Sequence, residues 1–90
     1  MKIYFNNQYS IDKNMCVYRK GRKIIQLTDF SIKNFLVSGT MVIVAGDVLF
    51  SLIREIDRLK VMIHYQKTNE VVLPEADTTI LVNMMKTAIM

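Results

Sequence analysis

The sequence has little cysteine, proline, glycine or histidine, and it has no tryptophan. One Cys among 90 residues cannot form an internal disulfide, which excludes the small secreted domains that disulfides hold together. Three Gly and one Pro exclude collagen-like and low-complexity chains. The chain is also too short for a TIM barrel or a dinucleotide-binding fold, which need well over ~200 residues.

Apolar and charged residues are both frequent enough for a folded domain. Hydrophobic residues make up 51% of the chain and charged residues 22%, with a net charge of +4, and this balance excludes intrinsic disorder. We therefore predict a single domain over residues 1–90. A domain of this size buries only about 60–65% of its surface, so some apolar side chains are expected outside, where they favour contact with a partner.

Residues 35–53 form an apolar stretch that is long enough to cross a membrane. Its only charge is Asp47, which follows Gly46 in a turn-like pair, and the residues before it are rich in β-branched side chains. We interpret this stretch as a buried strand followed by a helix, and we expect no membrane partner. The first eight residues lack the apolar segment of a signal peptide, so a cytoplasmic location with Cys16 as a reduced thiol is expected.

The hydrophobic pattern predicts an α+β domain, with a small antiparallel sheet built from hairpins and packed against two amphipathic helices. Gly21, between two β-rich segments, predicts a hairpin with a basic tip, and Ser38-Gly39 predicts a second hairpin. The last helix is expected over about 76–89, after Pro74.

The first helix is predicted over about 47–60, with Asp47 as its N-cap. At helical spacing, six apolar side chains fall within an arc of about 140°. These are Val48, Leu49, Leu52, Ile53, Ile56 and Leu59.

No residue pattern indicates catalysis, a cofactor or a metal. The only His, His64, and the only Cys, Cys16, are not placed together by anything in the sequence, and a Cys–His nucleophile would need both. We interpret His64 as a solvent-facing strand residue. A metal site needs three or four convergent ligands, and the isolated glycines form no phosphate-binding loop. We therefore predict a protein that is not an enzyme and holds no cofactor or metal.

The strongest charge feature is the basic run at the predicted hairpin tip. Its candidate nucleic-acid contacts are Tyr18, Arg19, Lys20, Arg22 and Lys23, where cations would straddle phosphates and the tyrosine would stack on a base. The alternative is a solvated turn whose like charges prevent edge-to-edge pairing of the hairpin.

The segment from Tyr9 to Lys33, about a quarter of the chain, resembles a stretch near the start of phage and plasmid primase–helicase accessory regions. The resemblance rests on common strand residues and implies no functional residue. It slightly favours a nucleic-acid function and nothing else. A viral or mobile-element origin would instead fit a small protein that acts by blocking or bridging a partner.

The last helix has an apolar arc of about 200°, wider than one sheet needs to cover. Ile80, Leu81, Met84 and Ala88 share the face that is expected to cover the sheet. The second face consists of Val82, Met85 and Ile89, which strands of the first half or a partner would cover. The simplest partner is a second copy of the chain, so these three residues are the predicted self-association site.

Two functions remain open at this point. The first is a small non-enzymatic binding or regulatory protein that forms a homodimer through its last helix and acts by contact with another protein. The alternative is a nucleic-acid-binding module of the phage or mobile-element type, which contacts DNA or RNA through the basic hairpin tip.

Overall fold

The computed structural model describes every residue, Met1–Met90, and shows an α+β fold with eight strands and two helices. The predicted fold class and the predicted number of helices are confirmed. The strands are β1 Lys2–Tyr4, β2 Tyr9–Asp12, β3 Cys16–Arg19, β4 Arg22–Gln26, β5 Thr40–Ala45, β6 Val48–Arg54, β7 Leu59–Tyr65 and β8 Lys67–Leu73. The helices are α1 Asp29–Ser38 and α2 Glu75–Ala88.

The strands form two antiparallel sheets rather than the single sheet that the pattern predicts. The first sheet has the order β1-β2-β3-β4 and the second the order β5-β6-β7-β8. The two sheets meet at Phe50, whose ring centroid lies 6.2 Å from that of Phe5 and 5.1 Å from that of Tyr9. Both sheets and both helices contribute to one core of 20 buried side chains.

The prediction of a helix over about 47–60 is wrong. Residues 48–54 form β6, and β7 begins at Leu59. At helical spacing Phe50 would lie on the polar side, beside Asp57, whereas strand alternation places Val48, Phe50 and Leu52 together on one face. The structure buries these three and leaves Ile56, which the helix would bury, fully exposed in the β6–β7 turn. Burial of Phe50 is compatible with the strand period and not with the helical one.

The helix α1 takes the place of the hairpin that was predicted around Ser38-Gly39. Thr28 caps it, since its hydroxyl accepts a hydrogen bond from the Ser31 N–H at 3.1 Å. Ile32 and Phe35 face the core at helical spacing. Gly39 ends the helix with φ 77°, and its N–H donates to the Phe35 carbonyl at 2.7 Å. A positive φ at Gly serves a helix C-terminus as well as a hairpin turn, which explains the wrong prediction.

The helix α2 lies where the sequence predicts it, but the buried side includes residues of both predicted faces. Val82 and Met85, two residues of the predicted self-association site, are buried within the chain, and Ile89 packs against the core. From the face expected to cover the sheet, Leu81 is fully buried, whereas Ile80 and Ala88 are exposed. Val82 and Met85 are therefore covered within the chain and offer no free surface to a second copy.

Neither helix of this chain has the length and the apolar composition that crossing a bilayer would require. The apolar stretch at residues 35–53 is divided among the end of α1, the strand β5 and most of β6.

Candidate functional site

The basic tip is a tight hairpin turn, as predicted. Arg19 pairs with Arg22 across the β3–β4 ladder, and Lys20 and Gly21 form the turn with φ values of 50° and 81°. Two successive positive φ values match the right-handed twist of the flanking strands, and Gly adopts one of them without strain. The Lys20 N–H donates to the Gln8 carbonyl at 2.6 Å, which ties this tip to the β1–β2 turn.

The turns of both sheets meet at one pole of the molecule. We call this pole the turn end, and it comprises residues 5–8, 20–21, 46–47 and 66. Because each sheet is an antiparallel meander, alternate turns lie at the same end of the sheet. Lys20, in the 20–21 turn, and Gln66 line the same cleft, which places the turns of the two sheets side by side.

The cleft at the turn end has a volume of about 390 Å³ and lies between the two sheets. Arg19 and Lys20 come from the first sheet and Lys67 from the second. The other lining residues are Asn6, Gln8, Tyr9, Ile63, Tyr65, Gln66 and Asn69. Ammonium, guanidinium and amide groups are the side-chain donors that hold phosphate and carboxylate oxygens.

Arg19 bridges the two sheets at the wall of this cleft. Its guanidinium carbon lies 4.6 Å from the centroid of the Tyr65 ring and 5.8 Å from that of the Tyr9 ring. The adjacent Tyr65 side chain raises the pKa of the Arg19 guanidinium, so the group keeps its charge. Stacking orders the guanidinium plane before any ligand arrives, which reduces the entropy lost on binding.

The cations of the cleft are not neutralised within the chain. The structure has three ion pairs, and they involve Arg58 with Asp57 and Lys60 with Glu55 and Glu70. None of them includes a residue of the cleft. Asp47, in the neighbouring turn, is close enough to act on the charge of Arg19 without forming an ion pair. The turn end is therefore a positively charged surface that an external anion can occupy.

Three of the five predicted nucleic-acid contacts lie outside this cleft: Arg22 at the hairpin tip, and Tyr18 and Lys23 on the outer face of the first sheet. Tyr18 donates from its hydroxyl to Asp12 Oδ2 at 2.7 Å, and Lys2 Nζ lies 4.1 Å from the Tyr18 ring centroid. Lys23 pairs with Tyr18 across the ladder and reaches Gln26 Oε1 at 3.5 Å. Contacts within the chain therefore already occupy the hydroxyl group of Tyr18 and one face of its ring.

The hydrogen bond to Asp12 raises the pKa of Tyr18 to about 12, because it stabilises the neutral phenol beside a carboxylate. Burial raises the pKa of Asp12, but hydrogen bonds from Tyr18 and from the backbone N–H groups of Cys16 and Asn14 outweigh it. The pKa of Asp12 is therefore below its ordinary value of 3.8.

No sequence pattern indicates the second-sheet residues of the cleft. Tyr65, Gln66 and Lys67 are more than 40 positions away from the basic tip. Gln66 alone connects β7 to β8, with φ 62°, so that the polar segment 67–70 belongs to a strand. No local pattern relates two turns that only the packing of the sheets brings together.

The two residues considered for catalysis are in different sheets. His64 lies on the outward face of the second sheet, as predicted, with its Nδ1 2.9 Å from Thr68 Oγ1. Cys16 is buried and free, and its Sγ lies 3.9 Å from the Asn14 carbonyl oxygen. No three side chains among His, Cys, Asp and Glu are grouped so that they could hold a metal ion.

No protein-family model matches this chain, and no similar protein is found among curated sequences or solved structures. The function is therefore inferred from the geometry of the chain itself.

Proposed function

We propose that this protein is a small non-enzymatic binding protein that holds the phosphate backbone of a nucleic acid in the cleft at the turn end. One observation carries the proposal: Arg19 and Lys20 from one sheet and Lys67 from the other line the same cleft, and none of them is ion-paired. Phosphate contacts of this kind supply most of the affinity in sequence-independent binding.

The neutral residues of the cleft support the same ligand. Side-chain amides of Asn6, Gln8 and Asn69 add uncharged donors, which also contact phosphate and sugar oxygens in nucleic-acid complexes. The ring of Tyr65 is partly exposed beside the stacked Arg19, and partly exposed aromatic rings are platforms for unpaired bases. A single strand therefore fits this cleft better than a duplex does.

The distribution of charge along the molecule supports a polyanionic ligand. The cleft and the adjacent hairpin tip carry Arg19, Lys20, Arg22 and Lys67 against one neighbouring acid, Asp47. The rest of the chain is nearly balanced, with eight cations against seven acids. An asymmetric field of this kind orients the protein toward a polyanion and accelerates association.

The test is the binding of a fluorescent single-stranded oligonucleotide, measured by anisotropy over a series of salt concentrations. Log affinity should fall linearly with log salt for the wild type. The double variant Lys20→Gln/Lys67→Gln should bind more weakly and show a salt slope reduced by about 1.4, since each lost phosphate contact in a single strand contributes about 0.7.

The matched control is Lys13→Gln/Lys33→Gln, which removes the same charge from two exposed lysines outside the cleft. This variant should keep the slope of the wild type. Equal weakening by both double variants would show that binding follows net charge alone, and absence of binding by the wild type at low salt would contradict the proposal.

A second candidate is regulatory contact with another protein in the cytoplasm. The exposed apolar side chains Val42, Val44 and Ile53, on the outward face of the second sheet, favour it. Salt dependence distinguishes the two functions. Binding of a protein ligand to this apolar face would respond little to salt, whereas an oligonucleotide would bind more weakly as salt rises and would slow hydrogen exchange at the turn end.

A further inference from the structure

The strand β5 differs from the other three edge strands of the two sheets. Natural sheets protect their edges with charged residues, proline, bulges or very short strands, because an open edge pairs with other chains. β1 has only three residues, β4 carries Arg22 and Lys23, and β8 carries Lys67 and Glu70. β5 has the sequence TMVIVA, without a charge, a proline or an irregularity in its register.

The register of the second sheet shows which backbone groups of β5 are open. The Arg54 N–H donates to the Gly39 carbonyl at 2.7 Å, and the Thr40↔Ile53 pairing continues that register. In an antiparallel ladder, hydrogen-bonded and non-hydrogen-bonded pairs alternate. The backbone groups of Val42 and Val44 therefore point away from β6.

The backbone groups of Thr40, the first residue of β5, have hydrogen-bond partners within the chain, unlike those of Val42 and Val44. Ser38 Oγ accepts from the Thr40 N–H at 3.2 Å and donates to the Thr40 carbonyl at 3.2 Å. Two N–H and two C=O groups, those of Val42 and Val44, remain without a partner in the chain. They form a template for one additional strand.

A second copy of β5 fits this template in one register. Around a two-fold axis at Ile43, Val42 of each copy lies opposite Val44 of the other. This arrangement pairs all four open backbone groups of each copy, and Thr40 keeps its hydrogen bonds to Ser38. An axis at Val42 or at Val44 would instead place Thr40 or Gly46 opposite a valine and leave part of the template unused.

The side chains on the outward face support this register. Val42 and Val44 are 64% and 60% exposed, although both are large and apolar. Pairing would bring four valines together, since each valine lies opposite a valine of the other copy. Leu49, which pairs with Val44 on β6, would extend this apolar cluster within each copy, whereas Ser51 pairs with Val42. Cross-strand β-branched pairs stabilise antiparallel sheets.

A groove lies between α1 and the start of β5, on the side where the second strand would run in this register. A groove of about 200 Å³ separates Ser31 and Asn34 of α1 from residues 40–42 of β5. The register places Gly46 and Ala45 of the second copy opposite Thr40 and Met41. The smallest residues of the incoming segment therefore lie where the helix leaves the least room.

We propose that β5 pairs antiparallel with β5 of a second copy around an axis at Ile43. The second sheets of the two copies then form one continuous sheet of eight strands. The homodimer is thus assigned to a sheet edge rather than to α2, and the assignment is independent of the nucleic-acid proposal.

The oligomeric state tests this proposal by sedimentation equilibrium from low micromolar to several hundred micromolar protein. The wild type should dimerise, and Val44→Lys should raise the dissociation constant by about tenfold or more, since it places two like charges in the apolar contact. The control Val72→Lys puts the same charge on the outward face of the other edge strand and should dimerise as the wild type does. A monomeric wild type, or equal effects of the two variants, would overturn the proposal.

A charge exchange at the two exposed valines tests the register. Val42→Lys and Val44→Glu should each weaken the dimer, whereas the double variant Val42→Lys/Val44→Glu should recover part of it, because an axis at Ile43 places residue 42 of each copy opposite residue 44 of the other. A double variant that dimerises no better than either single variant would refute an axis at Ile43. Lys20→Gln/Lys67→Gln should dimerise normally, so that a failure of either proposal leaves the other measurable.

Discussion

Single side chains on the outer face of the first sheet show how local contacts change chemical behaviour. Tyr18 was predicted as a stacking residue for a nucleic acid, but it donates to Asp12 at 2.7 Å and lies beneath Lys2. The three residues form a compact cluster of a phenol, a carboxylate and an ammonium group. Because the carboxylate stabilises the neutral phenol, the titration of Tyr18 reports directly on this cluster.

Replacement of Asp12 should change the titration of Tyr18. The pKa of Tyr18 is about 12 in the wild type, and Asp12→Asn should lower it toward the ordinary value of 10.0, since the negative acceptor is lost. A raised pKa in the folded state stabilises the protein fully below the unfolded pKa, and this contribution is lost as the pH rises through 12. The pKa of Tyr18 is measured by following its ¹³Cζ chemical shift against pH. An unchanged titration in Asp12→Asn would refute the assignment.

At the scale of one element, β6 shows why a periodic pattern can predict the wrong structure. Residues 48–59 fit a helical arc except at Phe50, and they also fit two strands joined by a polar turn. Burial of Phe50 and exposure of Ile56 distinguish the two. The intrinsic preference of the segment decides little, because packing against β5 and β7 determines which face is buried.

The two structures of this segment predict different effects for two truncations. Leu52→Ala should cost about 2–5 kcal/mol in the free energy of unfolding, since Leu52 is fully buried and its loss leaves a cavity. Ile56→Ala should change that free energy by no more than about 0.5 kcal/mol, since Ile56 is fully exposed. Urea unfolding followed by circular dichroism measures both. Similar losses from both variants would indicate a helix and contradict the strand.

The helix α2 provides a second comparison between neighbouring positions. Met85→Glu should cost several kcal/mol and leave much of the protein unfolded, because Met85 is fully buried and a carboxylate there has no partner. Met84→Glu should cost clearly less, because Met84 is only partly buried at the margin of the core and a carboxylate there can reach water. Thermal unfolding of the two variants tests this order, and the reverse order would mean that the faces of α2 are assigned wrongly.

At the scale of the whole molecule, the two proposed surfaces do not compete. The cleft lies at the turn end, between the sheets, whereas the free edge of β5 runs along the side of the second sheet. An antiparallel pairing of two β5 strands would point the two turn ends in opposite directions. A dimer of this kind would hold two separate segments of nucleic acid, which is a geometry suited to bridging.

The sequence by itself determined the features that depend on near neighbours. The α+β class, the basic hairpin at Gly21 and the last helix after Pro74 follow from turn chemistry, helix starts and local periodicity. The absence of a Gly-rich loop is also a local property. The start of α1 could have been predicted from the Thr28 cap, had Gly39 not indicated a turn equally well.

Only the tertiary structure decided which apolar faces are buried and which distant residues meet. The residues Val82 and Met85 are buried because α2 packs against α1 as well as against β8. The cleft joins Arg19 to Tyr65 across 46 positions, and β5 is an open edge because no other strand reaches it. Periodicity shows which residues share one face of an element, but it does not show which other element packs against that face. That choice depends on the packing of the whole chain.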